Sequence, residues 1–435
     1  MATEQQSIPA GRASRITALA GAGAKVGVNY LKHYSKRVVG AGADSEALNK
    51  ANAGAIYDTF SKLKGGPLKL AQMLSIDRNI LPDAYRKQFA QAQYSAPPLS
   101  YPLVVRTFKR EFGKEPLAIF DTFTRSAVHG ASIGQVHRAT IGEERFAVKV
   151  QYPGVADSLD SDLAVVKPVA LQILGLKSAE VAPYFEEVRE RLLEETNYTL
   201  ELERSMALSK ATAKQVKGIR FPRYYSEYSN RRVLTMDWID GQPLDLYAAN
   251  ETDQDRRNKV GQAIWDFYHF QIHHLKRFHA DPHPGNFLVD DEGKVVVLDF
   301  GCTKQIGDDF HRDYFRFLDP EVVEDEAAFA AALETLEVIS PEDSSRDRRF
   351  IIESARRGTR LLGKPFHEGS FDFADESYMA SIFEMGEEQR RNQDFREVRP
   401  ARGAADSIYL NRAYFGIYSL MGLLKAKIEA RRDVV

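Results

Sequence analysis

The stretch HADPHPGNFLVDDEGKVVVLDFG, residues 279–301, decides the fold, because two apolar runs surround a polar turn and acidic or amide side chains stand at their ends. The runs around Asp290, Asp291, Glu292 and Gly293 predict a β-hairpin over 287–300. Asn286 lies just before the outgoing strand and Asp299 at the end of the returning one, so the turn carries both to the same end of the ribbon. A carboxylate and an amide oxygen held together suit a hard divalent cation, which keeps several waters and takes phosphate oxygens as further ligands. Asp281 precedes Asn286 by five residues.

Working outward, the order Asp281, Asn286, hairpin, Asp299-Phe300-Gly301 matches the phosphoryl-transfer layout of protein-kinase-like folds. Upstream, GQVHRATIG followed by ERFAVKVQY predicts a hairpin turning near Gly142 and Glu143, with Lys149 on its second strand. Period two places Lys149 on the face of Ala147 and Gln151, opposite Val148 and Val150. An isolated lysine in such a strand is ordinarily solvent-facing. In a kinase-like fold the same position reaches the ATP phosphates and is held by a glutamate of the next long helix.

A helix expected over about 182–209 supplies such acids. Phe185, Val188, Leu192, Thr199, Leu202 and Met206 recur at steps of three and four, and Glu195 shares that stripe on a face expected to be buried. A carboxylate there needs a cation or hydrogen bonds. Glu201, six residues on, is rotated by roughly 240 degrees, which assigns the two acids different partners. In HGASIGQVH, residues 129–137, small residues would let backbone approach phosphate, with Ser132 and nearby amides as donors; composition alone makes it a turn.

The rest of the chain frames these landmarks. Residues from about 45 to 112 read as helical, with Ile56, Phe60 and Leu63 on one stripe and a break at Gly65, Gly66 and Pro67. RYYSEY and RVLTMDWI read as strands ending at Asp240 and Gly241, and the remainder is mostly helical except for a charged, irregular insertion over 341–400. Of the 435 residues 43% are hydrophobic and 28% charged, which excludes collagen-like and wholly disordered classes. Lys plus Arg at 59 against Asp plus Glu at 61 leaves a net charge of -2, so no nucleic-acid-binding surface is indicated. The single cysteine, Cys302, excludes an intramolecular disulfide and a cysteine-built zinc site. No apolar run is long enough to span a bilayer, so membrane contact would be peripheral. Gly23 and Gly27, spaced GxxxG in an alanine- and glycine-rich run, read as a packing helix or flexible segment, the alternative being a helix that closely approaches a membrane or protein surface. The first residues resemble neither a secretory signal nor an arginine-rich transit peptide.

With these landmarks in order, the chain resembles the UbiB (aarF, ADCK) family of atypical kinases linked to isoprenoid-quinone metabolism. The resemblance runs from about residue 8 to 430 and rests on KLAQMLS at 69–75, GASIGQVH at 130–137, VKVQYPGV at 148–155, ETNYTLE at 195–201, ADPHPGNFLV at 280–289 and LDFG at 298–301. It implies an α+β, two-lobe protein-kinase-like fold with an N-terminal helical extension over the substrate groove. The expected divisions are a glycine-rich segment 1–45, an extension 46–116, an N-lobe 117–240 and a helical C-lobe 241–435.

The resemblance also implies roles. Lys149 contacts the ATP phosphates and pairs with Glu201, Asn286 and Asp299 hold magnesium, and Asp281 takes the catalytic position. Ala131, Ser132 and Gly134 belong to the phosphate loop, and Met236 and Trp238 to the nucleotide-binding hinge running to Gly241. Lys69 and Gln72 match a regulatory KxGQ motif whose acidic partner is Glu195. Three departures from the family pattern stand out: Ala71 for the glycine of KxGQ, Asn197 for an aspartate, and His129 with Gly130 in a loop that is otherwise alanine-rich. The implied function is Mg-ATP-dependent hydrolysis or phosphorylation in ubiquinone or related quinone biosynthesis. Expected partners are ATP or ADP, a quinone precursor or other lipid, other enzymes of that biosynthesis, a membrane surface and, in one arrangement, a second copy. The expected location is the cytoplasmic face of a bacterial inner membrane, with the mitochondrial matrix as alternative. Rival readings are a nucleotide- and lipid-binding regulator without turnover, a conventional Ser/Thr kinase, and a small-molecule kinase.

Overall fold

The hairpin that anchors the sequence reading forms as expected: Phe287–Val289 pairs antiparallel with Val295–Val297, Phe287 opposite Val297. A computed structural model describes residues 45–63, 99–131, 133–174, 192–391 and 402–430, with isolated positions elsewhere. The chain divides into two units, Met1–Glu203 with Arg223–Trp238, and Arg204–Pro222 with Ile239–Val435.

In chain order the elements of the first unit begin with helices α1 (Ser45–Leu63) and α2 (Tyr101–Phe112), followed by strands β1 (Thr122–Phe123), β2 (His129–Gly130), β3 (Gly134–Ile141) and β4 (Glu144–Gln151). Helix α3 (Val155–Leu174) and helix α4 (Tyr198–Thr212) come next, then β5 (Ile219–Arg220) of the second unit and β6 (Val233–Asp237) of the first. The sheet of the first unit runs β1-β3-β4-β6, with β2 also on β3. The β3–β4 turn is the predicted one: Ile141 faces Glu144 across Gly142 and Glu143, and Gly142 has φ +55°.

Both faces of β4 are covered. Phe146, Val148 and Val150 pack with Phe108, Phe120, Phe123 and Tyr225 on one side. On the other, Ala147 packs with Leu99, Tyr198, Leu202, Leu234 and Met236. The solvent-facing alternative for Lys149 therefore fails, since covering both faces leaves its side chain nearly inaccessible. A polar seam runs through this core. Gln135 Oε1 accepts from the backbone of Leu99 at 2.7 Å, its amide lies 2.8 Å from His137 Nε2, and His137 Nδ1 lies 2.7 Å from the Thr124 carbonyl. The seam satisfies every buried polar group it contains that would otherwise cost desolvation.

The second unit adds β7 (Gln242–Pro243), α5 (Leu244–Asn250), α6 (Gln254–His269), β8 (Arg277–His279), β9 (Phe287–Val289), β10 (Val295–Val297) and β11 (Thr303–Gln305). Helices α7 (Asp308–Phe317), α8 (Pro320–Glu324), α9 (Glu326–Thr335), α10 (Ser345–Leu362) and α11 (Lys364–His367) follow. Strand β12 (Ser370–Asp372), α12 (Glu376–Arg391), α13 (Ala405–Leu424) and β13 (Lys427–Glu429) complete it. A small sheet β5-β10-β9-β7 and the ribbon β8–β11 carry the loops that matter below. Their core is aromatic, centred on Trp265, Phe267, Tyr268, Phe287, Phe300 and Tyr418.

Four expectations need correction. The helix over 182–209 is interrupted: Thr196 and Asn197 leave helical geometry and α4 starts at Tyr198. Tertiary hydrogen bonds win there over local periodicity, because Gln151 donates to the Thr196 carbonyl at 2.8 Å and Tyr198 N donates to Arg231 O. The break resets the helical phase, so Met206 lies outside the buried stripe and is 48% exposed, while Glu201, Leu202, Ser205 and Leu208 are buried. RYYSEY makes a single bridge, Tyr224 to Met236, and then a 3-10 turn over Ser226–Tyr228. Ser229 and Thr235 hydroxyls donate to the carbonyls of Tyr225 and Tyr228, groups a strand would have paired. Finally, the described part of 341–400 is mostly helical, with the short strand β12 between helices. The N-cap Ser344 starts α10, and Arg348, Arg357 and Arg360 pair with Glu334, Glu388 and Glu324, so its charge is that of a solvated helix face.

Candidate active site

In the first unit the register of β4 and the first turn of α4 bring Lys149 and Glu201 together. Lys149 Nζ donates to both carboxylate oxygens, at 2.7 and 3.0 Å. The side chains are 8% and 3% exposed. Glu201 lies in the first turn of α4, where the helix dipole favours a negative charge. The Lys149 ammonium also stands 5.0 Å from the centroid of the Tyr198 ring. Met236 is buried and opposes Ala147 across the β4–β6 ladder. Trp238 donates its amide to Arg145 O, and its ring lies between His129, stacked at 6.0 Å, and the Arg138 guanidinium at 5.2 Å.

After β2 the chain turns back on itself between Ala131 and Gly134. Ala131 N donates to Gly134 O at 2.9 Å and Gly134 N to Ala131 O at 3.4 Å, so those two amides close the loop on itself. Gly134 has no room for a side chain: a Cβ would lie 2.6 Å from the Val150 carbonyl and 2.7 Å from the Tyr198 hydroxyl. Ser132 falls outside the described residues, as do Lys69, Ala71 and Gln72. Glu195, the acid expected to serve that motif, is buried just before the break. Asn197 accepts through its backbone from Leu200 and Glu201, while its side-chain oxygen is buried without a hydrogen bond among the described residues.

In the second unit the prolines at 282 and 284 shape the loop between β8 and β9. Pro284 opens a single 3-10 turn over Pro284–Asn286, and His283 Nδ1 accepts from Gly285 N. Asn286 then donates through Nδ2 to the Asp281 carbonyl at 2.9 Å. Its side-chain nitrogen is thereby committed, and its oxygen is oriented by elimination. Leu298 N donates to Asn286 O at 3.0 Å, which puts Asp299 next to the base of the same hairpin, as its sequence position implied. Asp299 Oδ1 accepts from Gly301 N at 2.7 Å, and the Gly301 carbonyl accepts from Arg204. Ala280 N donates to Cys302 O, tying the stretch before Asp281 to the stretch after Asp299. At the other end Asp290 caps the turn through Glu292 N and Lys294 N and pairs with Arg220.

An amide oxygen and a half-buried carboxylate at one hairpin end form the oxygen-only donor set a hard cation needs, so these residues fit magnesium. Reading the sequence missed one partner. Arg412 of α13 donates to Asp281 Oδ1 at 3.0 Å across 131 residues. Four residues on, Gly416 meets Pro282 so closely that a Cβ would lie 2.1 Å from the proline ring. Neither is detectable locally, since an arginine and a glycine in a helix are common. The carboxylate of Asp281, after burial, contributes to holding the Tyr268 phenol far above its ordinary pKa, and that hydroxyl lies 2.9 Å from His279 Nδ1.

The model of the ABC1 atypical kinase-like domain matches residues 91–333. The chain is 27% identical to the mitochondrial atypical kinase COQ8B of Danio rerio, covering 98% of this chain and 68% of that protein. It is equally 27% identical to the mitochondrial atypical kinase COQ8 of Saccharomyces cerevisiae, over 86% and 75%. Against the probable serine/threonine-protein kinase abkA of Dictyostelium discoideum it is 27% identical over 73% of this chain, spanning only 60% of that protein. Among solved structures, the complex of Rv3197 with erythromycin from Mycobacterium tuberculosis superposes with a TM-score of 0.61 at 23% identity, covering 90% of this chain and 96% of that one. That likeness is one of fold. Among the described residues no helix is long and apolar enough to cross a membrane.

Proposed function

Because the chain belongs to the ABC1 atypical kinase-like (UbiB) family and has its α+β, kinase-like fold, we propose that it binds Mg-ATP and transfers or hydrolyses the terminal phosphoryl group in support of isoprenoid-quinone biosynthesis. The buried pair of Lys149 and Glu201 carries this reading. Two charges taken out of water seldom add stability over apolar residues of the same size, so a pair of this kind is better accounted for by what it binds. Lys149 contacts nucleotide phosphates while Glu201 holds it; Met236 and Trp238 line the base. Asn286 and Asp299 hold magnesium, which when bound supplies charge neutralisation for the phosphoryl group. Asp281, oriented by Arg412, accepts or positions the acceptor's proton.

The COQ8 relatives support the link to quinone biosynthesis, with a phenolic precursor or other lipid as the acceptor or activator and a membrane surface as the place of work. Their mitochondrial names set the matrix beside a bacterial membrane face as settings for that work. The regulatory role of Lys69 and Gln72 toward Glu195 belongs to the same proposal. A second reading, a nucleotide-binding regulator without turnover, draws on the Asp281–Arg412 pair, because a guanidinium already occupies one carboxylate oxygen. Thermal unfolding with Mg-ADP tests the first half: wild type gains stability and Asp299→Asn does not. A wild-type response in Asp299→Asn removes the metal assignment. ATP turnover measured with anionic vesicles or a phenolic mimic separates enzyme from regulator, and lipid profiling of a deletion strain tests the quinone link.

A further inference from the structure

Lys149 is held on two sides, and both holders come from one turn of one helix. Glu201 takes the ammonium by hydrogen bonds, and the Tyr198 ring faces it at 5.0 Å. Residues three apart on a helix lie on the same face, so the first turn of α4 delivers a carboxylate and an aromatic surface together. The ring cannot drift. Tyr198 is fully buried, its amide donates to Arg231 O, and the residue two before it is held by Gln151 through the Thr196 carbonyl. At its far end the hydroxyl stands against Gly134, where a Cβ would come within 2.7 Å of it. The phenol is therefore wedged between the last residue of the 129–134 turn and the ammonium.

We propose that Tyr198 is a positioning residue for Lys149: its ring keeps the ammonium charged and within reach of Glu201, and its wedge against Gly134 ties that geometry to the loop. A desolvated cation gains more from an aromatic face than an exposed one does, which gives the ring leverage at this site. The plain alternative is a core tyrosine that only fills volume. The nucleotide half of this inference rests on the function proposed above, whereas the ammonium half concerns the protein alone.

Two readouts on the full chain keep the halves apart. Competitive labelling of Lys149 with acetic anhydride, followed by peptide mass spectrometry across pH, reports how readily the ammonium loses its proton. Calorimetry reports Mg-ADP affinity. Tyr198→Leu should move the labelling midpoint of Lys149 down by about one pH unit, a tenfold change, and weaken Mg-ADP about tenfold. Tyr198→Phe, which keeps the ring, should stay within about twofold of wild type in both. A Tyr198→Leu labelling curve that superposes on wild type overturns the inference, because the ring then contributes nothing to holding the charge. If Tyr198→Leu does not fold, replacing Tyr198 by pentafluorophenylalanine keeps the volume and inverts the ring's charge distribution; an unchanged midpoint there overturns it equally. A wild-type protein that binds no Mg-ADP defeats the nucleotide reading and leaves the labelling result to decide the role of Tyr198.

Discussion

Lys149 and Glu201, 52 residues apart in the chain, share two hydrogen bonds of 2.7 and 3.0 Å in a place where neither side chain reaches a tenth of its full exposure. Each is therefore a principal partner of the other's charge. Lys149→Met or Glu201→Met alone should cost about 3–5 kcal/mol, because the surviving charge stays buried without this ion pair. The double substitution should cost clearly less than the sum of the two. Urea denaturation of the four proteins measures the difference, and additive losses would show that the pair is not coupled.

Arg412 grips Asp281 at 3.0 Å and is half-buried beside it. Arg412→Met should lower kcat for ATP turnover about tenfold or more while leaving KM for ATP nearly unchanged, since the nucleotide contacts proposed above are made by other residues. In the background of Asp281→Asn the same substitution should have little further effect. A KM change with intact kcat would move Arg412 from positioning to binding.

Gly416 and Gly422 lie on the same helix and should respond oppositely to alanine. At Gly416 a Cβ would lie 2.1 Å from the Pro282 ring and 2.9 Å from its carbonyl, so something must shift. Gly416→Ala should destabilise by about 1–3 kcal/mol and disturb the loop holding Asp281. At Gly422 the nearest atoms belong to the Met379 side chain at 3.4–3.5 Å, which can yield. There alanine should be neutral or stabilise by up to about 1 kcal/mol through its better helix propensity. Thermal melts of the two variants provide the check.

The second unit buries a histidine run on α6 and the π-helical turn after it. His269 is stacked on Trp265 at 4.2 Å with Nε2 making no hydrogen bond among the described residues, and His273 Nδ1 lies 3.0 Å from His311 Nε2. Burial lowers His269 to about 3 and His311 to about 4, and His273 is pushed far down, first by burial and then by its histidine neighbours. Below about pH 6.5 the unfolded chain takes protons that these folded groups refuse. Their stability contribution is thus intact above pH 6.5 and is lost progressively as pH falls toward about 4 and then 3. Urea midpoints at pH 7.5, 6 and 5 should fall steadily in wild type and less steeply in His269→Phe, which keeps the stack and removes one buried base. Parallel slopes would refute the role of His269.

Which parts of this were legible in the sequence follows from how local their causes are. The hairpins at Gly142 and at Asp290–Gly293 were readable because turn chemistry and alternation act over a few residues. The pairing of Lys149 with Glu201 was legible only through the family resemblance, since the helical phase from which the two acids were compared is broken at Asn197. Gln151 and Arg231 impose that break from distant strands, and no periodicity announces it. Arg412, Gly416 and Tyr198 act through contacts across long sequence separations, so their types alone carried no signal. The charge of 341–400 misled for the opposite reason: ion pairs between neighbouring helices look, in one dimension, like an unstructured tract.

The grip of α13 on the loop at Asp281 also sets a clock on synthesis. The loop leaves the ribosome first, and the arginine that holds its aspartate follows 131 residues later. At about 5–20 residues per second that interval is on the order of ten seconds, during which a nascent chain carries Asp281 without the Arg412 guanidinium. Whatever that loop does in the finished protein, a tethered and unfinished chain is not yet equipped to do it.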